Sequence, residues 1–340
     1  MSRDSKAILK YAGLADVFEP ADGTWAGGLK QGLGKMTYTS GNIYQGEFMN
    51  DKRQGIGKMI YATGVVYEGG WVDDKRHGKG KFTWLNGEVY EGDYVDGKRQ
   101  GKGKKTWPDG RVYVGDWMND EIHGKGKNTW PDGDVYEGDY VDGVEQGKGK
   151  YTWHDGTVYV GDWMNGQRTG KGNYTVPNGE IYVGDWTDDK VHGKGKYTWP
   201  DGRVYDGDFV NDKSHGKGKF TNADGEVYVG DYMNGQRNGN GNMTYGNGEV
   251  YVGDWMDDKQ HGKGKYTWPD GRVYDGDFVD GKSHGKGKFT WPNGDVYEGD
   301  FVDDKKHGKG KFTSADGEVY VGDWMNDKRR GNLPMPIEIV

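Results

Sequence analysis

The sequence predicts an all-β protein, an elongated single-layer antiparallel sheet made of consecutive β-hairpins of equal length. Three observations carry this prediction. A tyrosine recurs at a constant interval without a slip, from Tyr44, Tyr67 and Tyr90 onward to Tyr320, which marks an internal repeat. Between these tyrosines, segments such as residues 90–95 alternate with a period of two, as strands do. Pro-Asp-Gly and Asp-Gly turns separate the alternating segments, and helical spacing is absent from the repeats.

The composition indicates that rings and glycines replace an ordinary core. Glycine accounts for 64 of the 340 residues, and hydrophobic residues make up 32%. Globular domains contain about 7% glycine and ~45–50% apolar residues when glycine is counted, so a deep two-layer core is not expected. Aromatic residues nevertheless reach 14%, whereas disordered chains are poor in them. We therefore expect aromatic rings packed on glycine to order the chain.

Alternation places the side chains of each hairpin on two faces. The first, called the ring face below, carries the repeated tyrosine, a glycine two residues later, an aromatic residue four residues later and the two glycines of the Gly-Lys-Gly return strand. Glycine opposite a large ring leaves room for that ring to lie flat across the backbone. The second, called the charged face, carries an aspartate opposite the lysines of the return strand, which favours cross-strand pairing.

A longer period overlies the tyrosine repeat. Residues 182–204 and 251–273 differ at only two positions and lie three repeat units apart. This similarity indicates a three-unit duplication. An array of such similar copies more often presents one repeated surface than one unique pocket.

The repeats divide the chain into a cap, an array and a tail. In the first copy, Ala21 stands where later copies have tyrosine. Residues 7–18 carry apolar side chains at helical spacing and Glu19-Pro20 would end a helix, so a short N-terminal helical cap over the first hairpin is expected. The predicted segments are an N-terminal cap segment (1–20), a repeat array (21–331) with a degenerate first copy (21–43), twelve full repeats (44–319) and a partial repeat (320–331), and a C-terminal tail (332–340).

The repeated motif Y-x-G-x-W-x-x-x-x-x-x-G-x-G resembles the MORN repeat (membrane occupation and recognition nexus) over residues 21–331. The resemblance implies an elongated single-layer sheet with an aromatic-lined groove, and a scaffold in cytoskeletal, ciliary or membrane-attachment structures that binds partner peptides or helices. Such arrays often dimerise. Some members carry a kinase or methyltransferase domain, and the residues outside the array are too few for one. We therefore expect a repeat-only member without a catalytic domain.

Several functional classes are disfavoured by the residues themselves. The chain has no cysteine, and its carboxylates recur evenly rather than converging, so neither an enzyme nor a cofactor is predicted. Equivalent histidines lie two strands apart, about 9.6 Å, which is too far for shared zinc binding, so no metal is predicted. A net charge of −8 argues against nucleic acid. No signal peptide or membrane span is recognisable, so we expect a cytoplasmic protein, associated with the cytoskeleton, a cilium or the cytosolic face of a membrane.

The predicted function is that of a non-enzymatic scaffold or adaptor whose ring face binds an extended peptide or an amphipathic helix. A single-layer sheet would leave rings exposed, and extended apolar patches usually mark interaction surfaces. The central groove is the candidate site. The predicted groove residues are Tyr136, Tyr140, Tyr159, Trp163, Tyr182, Trp186, Tyr205, Phe209, Tyr228 and Tyr232.

Three further expectations remain open. The alternative function is a phosphoinositide-binding membrane adaptor with weak acidic-phospholipid contact, although net charge and the facing aspartates count against it. A glycan-binding surface array is disfavoured by the missing signal peptide. Open sheet edges recruit other strands, so the terminal segments are expected to form a two-fold homodimer.

The lysines assigned to the phosphoinositide-binding alternative are Lys79, Lys81, Lys102 and Lys104.

Overall fold

The computed structural model describes residues 16–21 and 25–330. Within these residues all regular structure is β-strand, which confirms the all-β prediction. The chain divides into two compact units, residues 1–167 and residues 168–340. In each unit the strands pair antiparallel with their neighbours along the chain, as consecutive hairpins require.

The strands of the first unit run from the N-terminal region to Met164. They are β1 (Val17–Pro20), β2 (Trp25–Ala26), β3 (Leu29–Lys30), β4 (Gly32–Thr37), β5 (Ile43–Met49), β6 (Lys52–Ile60), β7 (Val66–Val72), β8 (Lys75–Thr83), β9 (Val89–Val95), β10 (Lys98–Thr106), β11 (Val112–Met118), β12 (Glu121–Thr129), β13 (Val135–Val141), β14 (Val144–Thr152) and β15 (Val158–Met164). Strand β2 pairs with β3, and β1 pairs with β4.

The second unit repeats the same hairpin. Its first strand, β16, begins one residue before the unit boundary. Its strands are β16 (Gln167–Thr175), β17 (Ile181–Thr187), β18 (Lys190–Thr198), β19 (Val204–Val210), β20 (Lys213–Thr221), β21 (Val227–Met233), β22 (Gln236–Thr244), β23 (Val250–Met256), β24 (Lys259–Thr267), β25 (Val273–Val279), β26 (Lys282–Thr290), β27 (Val296–Val302), β28 (Lys305–Thr313), β29 (Val319–Met325) and β30 (Lys328–Arg329).

Two kinds of turn connect the strands. Within a hairpin, the two turn residues both adopt positive φ, as at Asp73 (φ 47°) and Asp74 (φ 67°). Two-residue loops of this kind match the twist of the flanking strands, and Asn, Asp and Gly tolerate the conformation best. Between hairpins, Gly110 adopts φ 93° and its N–H donates to the carbonyl of Trp107 at 3.0 Å. The Pro-Asp-Gly and Asp-Gly signals therefore form turns, as predicted.

A β-bulge interrupts the hairpin after its first paired glycines. In β13 and β14, Gly138 pairs with Gly149, but the next pair is Tyr140 with Glu145, so the return strand holds two extra residues. Gly147 lies in this bulge with φ 73°. A side chain is strained at such a φ, which explains the first glycine of the Gly-Lys-Gly motif.

The repeated tyrosine is buried because its ring lies flat over two glycines. Tyr136 is 0% exposed, and its hydroxyl donates to the carbonyl of Asp139 at 3.1 Å. A Cβ added to Gly149 would lie 2.6 Å from ring atoms of Tyr136, and one added to Gly138 would lie 2.6 Å from the Cα of Gly149. Only glycine fits either position, so the predicted packing of rings on glycine is confirmed.

The N-terminal expectations need correction. Residues 1–15 of the predicted helical cap lie outside the described residues, but residues 17–20 form strand β1 rather than helix. Ala21 stands at the place of the tyrosine in the sequence period, but in the structure Phe18 takes the pairing position of that tyrosine. Phe18 pairs with Met36, as Tyr44 pairs with Met59 one repeat later.

Phe18 supplies the missing ring of the first copy. Its ring meets the Cβ position of Gly34 and packs edge-on against Phe48 at 5.1 Å. Strand β1 thus places this half-buried ring over the glycine. At the other end, the predicted tail (332–340) lies outside the described residues. The homodimer through the terminal segments consequently stays a prediction.

We expect Gly241→Ala to destabilise the hairpin of β21 and β22, because the added Cβ would collide with the Tyr228 ring. Overpacking of this kind costs about 1–3 kcal/mol. Hairpins of a repeat array open locally, so amide hydrogen exchange across residues 228–244 is the measurement. The matched control is Gly246→Ala, where the nearest atom to the added Cβ lies 3.8 Å away and φ is not positive. Equal protection in the two variants would contradict the ring-over-glycine packing.

Candidate partner-binding surface

The rings of the ring face form a ladder of edge-to-face contacts within each unit. Tyr136 packs against Tyr140 of its own hairpin at 5.2 Å and against Trp163 of the next hairpin at 5.1 Å. In the second unit, Tyr205 makes the same two contacts, with Phe209 at 5.0 Å and Tyr232 at 5.1 Å. Such pairs contribute about 0.5–1.5 kcal/mol beyond area burial. Each ring therefore joins one hairpin to the next.

The ten predicted groove residues belong to this ladder, and all are at most 9% exposed. The expectation that their rings lie exposed is wrong, because the repeated tyrosines lie against glycine and the later aromatic residues pack edge-on against those tyrosines. Four of them nevertheless form the floor of a cleft in the second unit, namely Tyr205, Phe209, Tyr228 and Tyr232. A role for the groove residues in partner binding stays a prediction, with these four in a position to be contacted.

The walls of that cleft come from a second set of rings, which sequence reasoning did not select as site residues. Tyr197 and Trp199 pack at 4.5 Å, and Trp199 lies 6.0 Å from Phe220 of the next hairpin. Trp199 and Phe220 are both only partly buried. The signal for this wall is the Tyr-Thr-Trp-Pro-Asp-Gly run, whose two aromatic residues alternation places on the ring face.

A cationic side chain covers the ring face in several repeats. The Arg237 guanidinium lies 4.3 Å from the Trp255 ring centroid, close enough for cation–π attraction. Its Nε donates to the Asp258 carboxylate at 3.0 Å. We call this place, nine residues after the repeated tyrosine, the shelf position. Among the described residues it is arginine at Arg53, Arg76, Arg99, Arg168, Arg237 and Arg329.

Serine at the shelf position borders a cleft in the second unit. Ser214 lines a cleft of about 730 Å³ with Tyr197, Trp199 and Phe220 among its walls. Ser283 lines a cleft of about 840 Å³ whose corresponding walls are Tyr266, Trp268 and Phe289. The two serines lie three repeats apart, so the second unit holds the same cleft twice, as the three-unit duplication implies.

The charged face is largely neutralised by its own ion pairs, as the cross-strand prediction required. Lys79 lies 2.6 Å from Asp93, Lys81 lies 2.8 Å from Glu91, and Lys102 lies 2.5 Å from Asp116. Lys104 stands opposite Glu91 in the strand register. Three of the four lysines assigned to the lipid alternative are therefore already paired.

The aspartates of this face also contact the backbone. Asp139 accepts the Lys125 ammonium at 2.6 Å and the N–H of Lys148 at 3.2 Å, so it connects three strands. The hydrogen bond from Lys125 is the main reason that the pKa of Asp139 is lowered. Because Lys125 is 78% exposed, water screens the pair and its contribution to stability is small.

Among residues 16–21 and 25–330, no three His, Asp or Glu side chains are grouped so that they could hold a metal ion. In the same ranges there is no helix of the length and apolarity needed to cross a membrane.

Comparison with known proteins identifies the repeat. The model of the MORN repeat family matches fourteen consecutive segments, from residues 22–43 to residues 320–332. No curated protein matches the chain.

Among solved structures, the TCP10c domain of Drosophila melanogaster Sas-4 is 17% identical, with a TM-score of 0.28, and the match covers 46% of this chain and 93% of that one. The TCP10 domain of Danio rerio CPAP is 16% identical, with a TM-score of 0.21, covering 72% and 99%. Scores this low support no transfer of function.

Burial of the ring-face tyrosines should make the protein sensitive to alkali. Burial raises the pKa of Tyr67, Tyr228 and Tyr297 to about 12, whereas tyrosine in an unfolded chain titrates near 10. The stabilisation is therefore complete below about pH 10 and is lost as pH rises towards 12. Tyrosinate absorbance should rise together with the loss of the β-sheet circular dichroism signal. Full ionisation near pH 10 with the sheet intact would contradict this burial, and the chain in urea provides the reference titration.

Proposed function

This chain belongs to the MORN repeat family, and we propose that it is a non-enzymatic scaffold that binds a peptide or an amphipathic helix of a partner protein on its ring face. The observation that carries the proposal is the pair of ring-walled clefts at Ser214 and Ser283. The cellular setting that we propose, a cytoplasmic assembly of cytoskeletal, ciliary or membrane-attachment type, rests on the family resemblance alone.

The clefts have the chemistry of a peptide-binding surface. Partly exposed tryptophan, tyrosine and phenylalanine side chains dominate protein interfaces because they bury much apolar area at low entropic cost. Charged groups at the rim, such as Asp212, Lys213 and Arg237 at the Ser214 cleft, can orient a bound segment. The surface therefore offers apolar anchoring with a polar border.

The spacing of the clefts defines what one partner segment could span. Six strands at about 4.8 Å separate Ser214 from Ser283, or about 29 Å along the sheet. An extended peptide of about nine residues or a helix of about 19 residues covers that distance. A partner that engages both clefts would gain affinity from the second contact at little entropic cost.

The scaffold proposal is tested by selecting peptides and helical segments from a displayed library on the full chain. We expect the selected binders to lose about 30-fold in affinity on Trp199→Ala or Trp268→Ala, because a buried aromatic anchor contributes about 2 kcal/mol. The control is Val229→Ala, a 49% exposed side chain on the charged face. The proposal fails if no binders emerge, or if the binders respond to the Val229 substitution but to neither tryptophan.

The alternative, a phosphoinositide-binding adaptor, has weaker support. A polybasic segment gains about 1 kcal/mol per basic residue near an anionic membrane. That gain is reduced here because Lys79, Lys81 and Lys102 already pair with carboxylates. An anionic headgroup would have to compete with these side chains.

In flotation with phosphoinositide-containing vesicles at physiological salt, we expect little recovery of the protein because three of the four assigned lysines already pair with carboxylates. The comparison is a variant in which Lys79, Lys81, Lys102 and Lys104 are all changed to glutamine. Strong recovery of the wild-type chain, lost in this variant and in high salt, would favour the lipid function over the scaffold.

A further inference from the structure

The shelf position contains a built-in receptor for a guanidinium group. In the copy at Arg237, the backbone N–H of that arginine donates to Oδ1 of Asp258 at 3.0 Å. Nε donates to the same oxygen at 3.0 Å, and a terminal nitrogen donates to the Asp258 carbonyl at 2.8 Å. The guanidinium also lies over the rings of Trp255 and Tyr228, at 4.3 and 5.6 Å. One carboxylate, one carbonyl and two rings thus hold the cation.

Most other copies indicate that the cation and the carboxylate belong together. The partner aspartate lies in the turn of the following hairpin, at the same sequence distance from the shelf position in each copy. Aspartate occupies that turn position after the cationic shelf residues Lys30, Arg53, Arg99, Arg168, Arg237 and Lys306. Glycine occupies it after the shelf residues Ile122, Glu145, Ser214 and Gln260.

The exceptions are of two kinds. Arg76 keeps its cation without a carboxylate, since its turn partner is Gly97, and its guanidinium donates to the Gly97 carbonyl at 2.5 Å. Val191 and Ser283 keep the carboxylate without a cation, with Asp212 and Asp304 as turn partners. Valine places a branched apolar side chain over this position, whereas serine places only a hydroxymethyl group there. Ser283 is therefore the copy with a carboxylate and space beside it.

The receptor at Ser283 is otherwise intact. The backbone N–H of Ser283 donates to Oδ1 of Asp304 at 2.8 Å, and its hydroxyl, a neutral group, donates to the same oxygen at 3.2 Å. The N–H of Asp304 donates to the Ser283 carbonyl at 3.1 Å, the same length as in the Arg237 copy. The two rings are also present, since Tyr274 and Phe301 pack edge-on at 5.0 Å. Every part of the receptor is in place except the cation.

A cleft adjoins the place of that cation, although Ser283 itself is only 8% exposed. Ser283 ends far short of an arginine and lines the cleft of about 840 Å³, together with Asp304, Tyr274 and Phe301. Within the described part of the chain, no cationic side chain lies within ion-pair distance of Asp304. Three cationic side chains also line the cleft, and each pairs with a different carboxylate: Arg237 with Asp258 at 3.0 Å, Lys259 with Asp280 at 3.5 Å and Arg272 with Asp270 at 2.8 Å.

We propose that the Ser283 cleft binds the guanidinium group of an arginine on the partner segment, an inference that rests on the proposed scaffold function. The bound arginine would occupy the place that Arg237 occupies in its own repeat. It would donate to the Asp304 carboxylate and carbonyl and stack on the rings of Tyr274 and Phe301. Arginine suits this site better than lysine because its planar group can stack and donate several bonds at once.

The sister cleft provides an internal comparison. At Ser214 the turn partner is Gly235, whose N–H donates to the Ser214 carbonyl at 2.9 Å. The walls are alike, but the carboxylate in the turn is missing. We therefore expect the Ser214 cleft to bind an apolar side chain and the Ser283 cleft to bind an arginine. The two copies of the cleft would then bind two different residues of one partner.

The test uses the full chain with N-acetyl-arginine amide as the probe and its neutral isostere N-acetyl-citrulline amide as the control, with binding followed by ligand-observed NMR. We expect the citrulline compound to bind at least tenfold more weakly. Asp304→Gly, which reproduces the residue found in sister repeats, should weaken the arginine probe at least tenfold. Ser283→Arg should abolish binding by filling the cleft from within, whereas Ser214→Arg should leave it unchanged.

A gain-of-function variant distinguishes loss of the binding site from unfolding of the protein. Gly235→Asp should create a second arginine site at Ser214 and double the stoichiometry, with circular dichroism confirming that each variant keeps its sheet. Equal binding of the two probes, or full binding by Asp304→Gly, would overturn the proposal.

The two proposals can fail separately. If displayed segments bind in a Trp268-dependent manner but their arginines can be replaced by citrulline without loss, the scaffold stands and the arginine site is wrong. If the arginine probe binds at Ser283 while no displayed segment binds the ring face, the cation site stands and the scaffold function is wrong.

Discussion

The close approach of a tyrosine ring to two glycines is the constraint on which the rest of the structure depends. Tyr136 can be 0% exposed within a sheet only because Gly138 and Gly149 carry no Cβ. The flat ring lets its hydroxyl reach the carbonyl of Asp139 and lets its edge meet the rings of two hairpins. The high glycine content and the low aliphatic content are therefore two aspects of one packing solution, in which rings bury themselves against backbone rather than against a second layer.

The two faces of the hairpin consequently differ in what they can do. The charged face holds aspartates that accept both a lysine side chain and a backbone N–H, as Asp139 does. Its charges satisfy one another and leave little net attraction for an anion. The ring face is apolar. In each repeat, the residue at the shelf position decides whether a long side chain lies over the rings. Arg237 lies over the ring of Trp255, whereas Ser214 and Ser283 carry no long side chain over the corresponding rings and line clefts.

Variation at the shelf position thus changes the surface without disturbing the fold. The tyrosine, the glycines and the aromatic residue four positions later carry the packing, so the residue nine positions later is free to be arginine, glutamine or serine. Its frequent pairing with aspartate in the following turn, where it is cationic, reflects the need to neutralise a cation held over the rings. Ser283 with Asp304 retains half of such a pair, and the unfilled half is what makes this copy distinct from its duplicate.

The sequence by itself determined the period, the all-β class, the turns, the ring-over-glycine packing and the charged pairs, because each depends on residues close in the repeat and recurs in many copies. It did not determine which rings are accessible. The ten predicted groove residues proved buried, because rings of the following hairpin pack against them once the strands pair, which alternation within one hairpin does not show. The tertiary structure decided which residue supplies the ring of the first copy. The period indicates position 21, which is Ala21, but the ring comes from Phe18. It also decided that Trp199 and Trp268 wall two clefts, because the contact of a shelf residue with rings of the following hairpin appears only when the strands are paired.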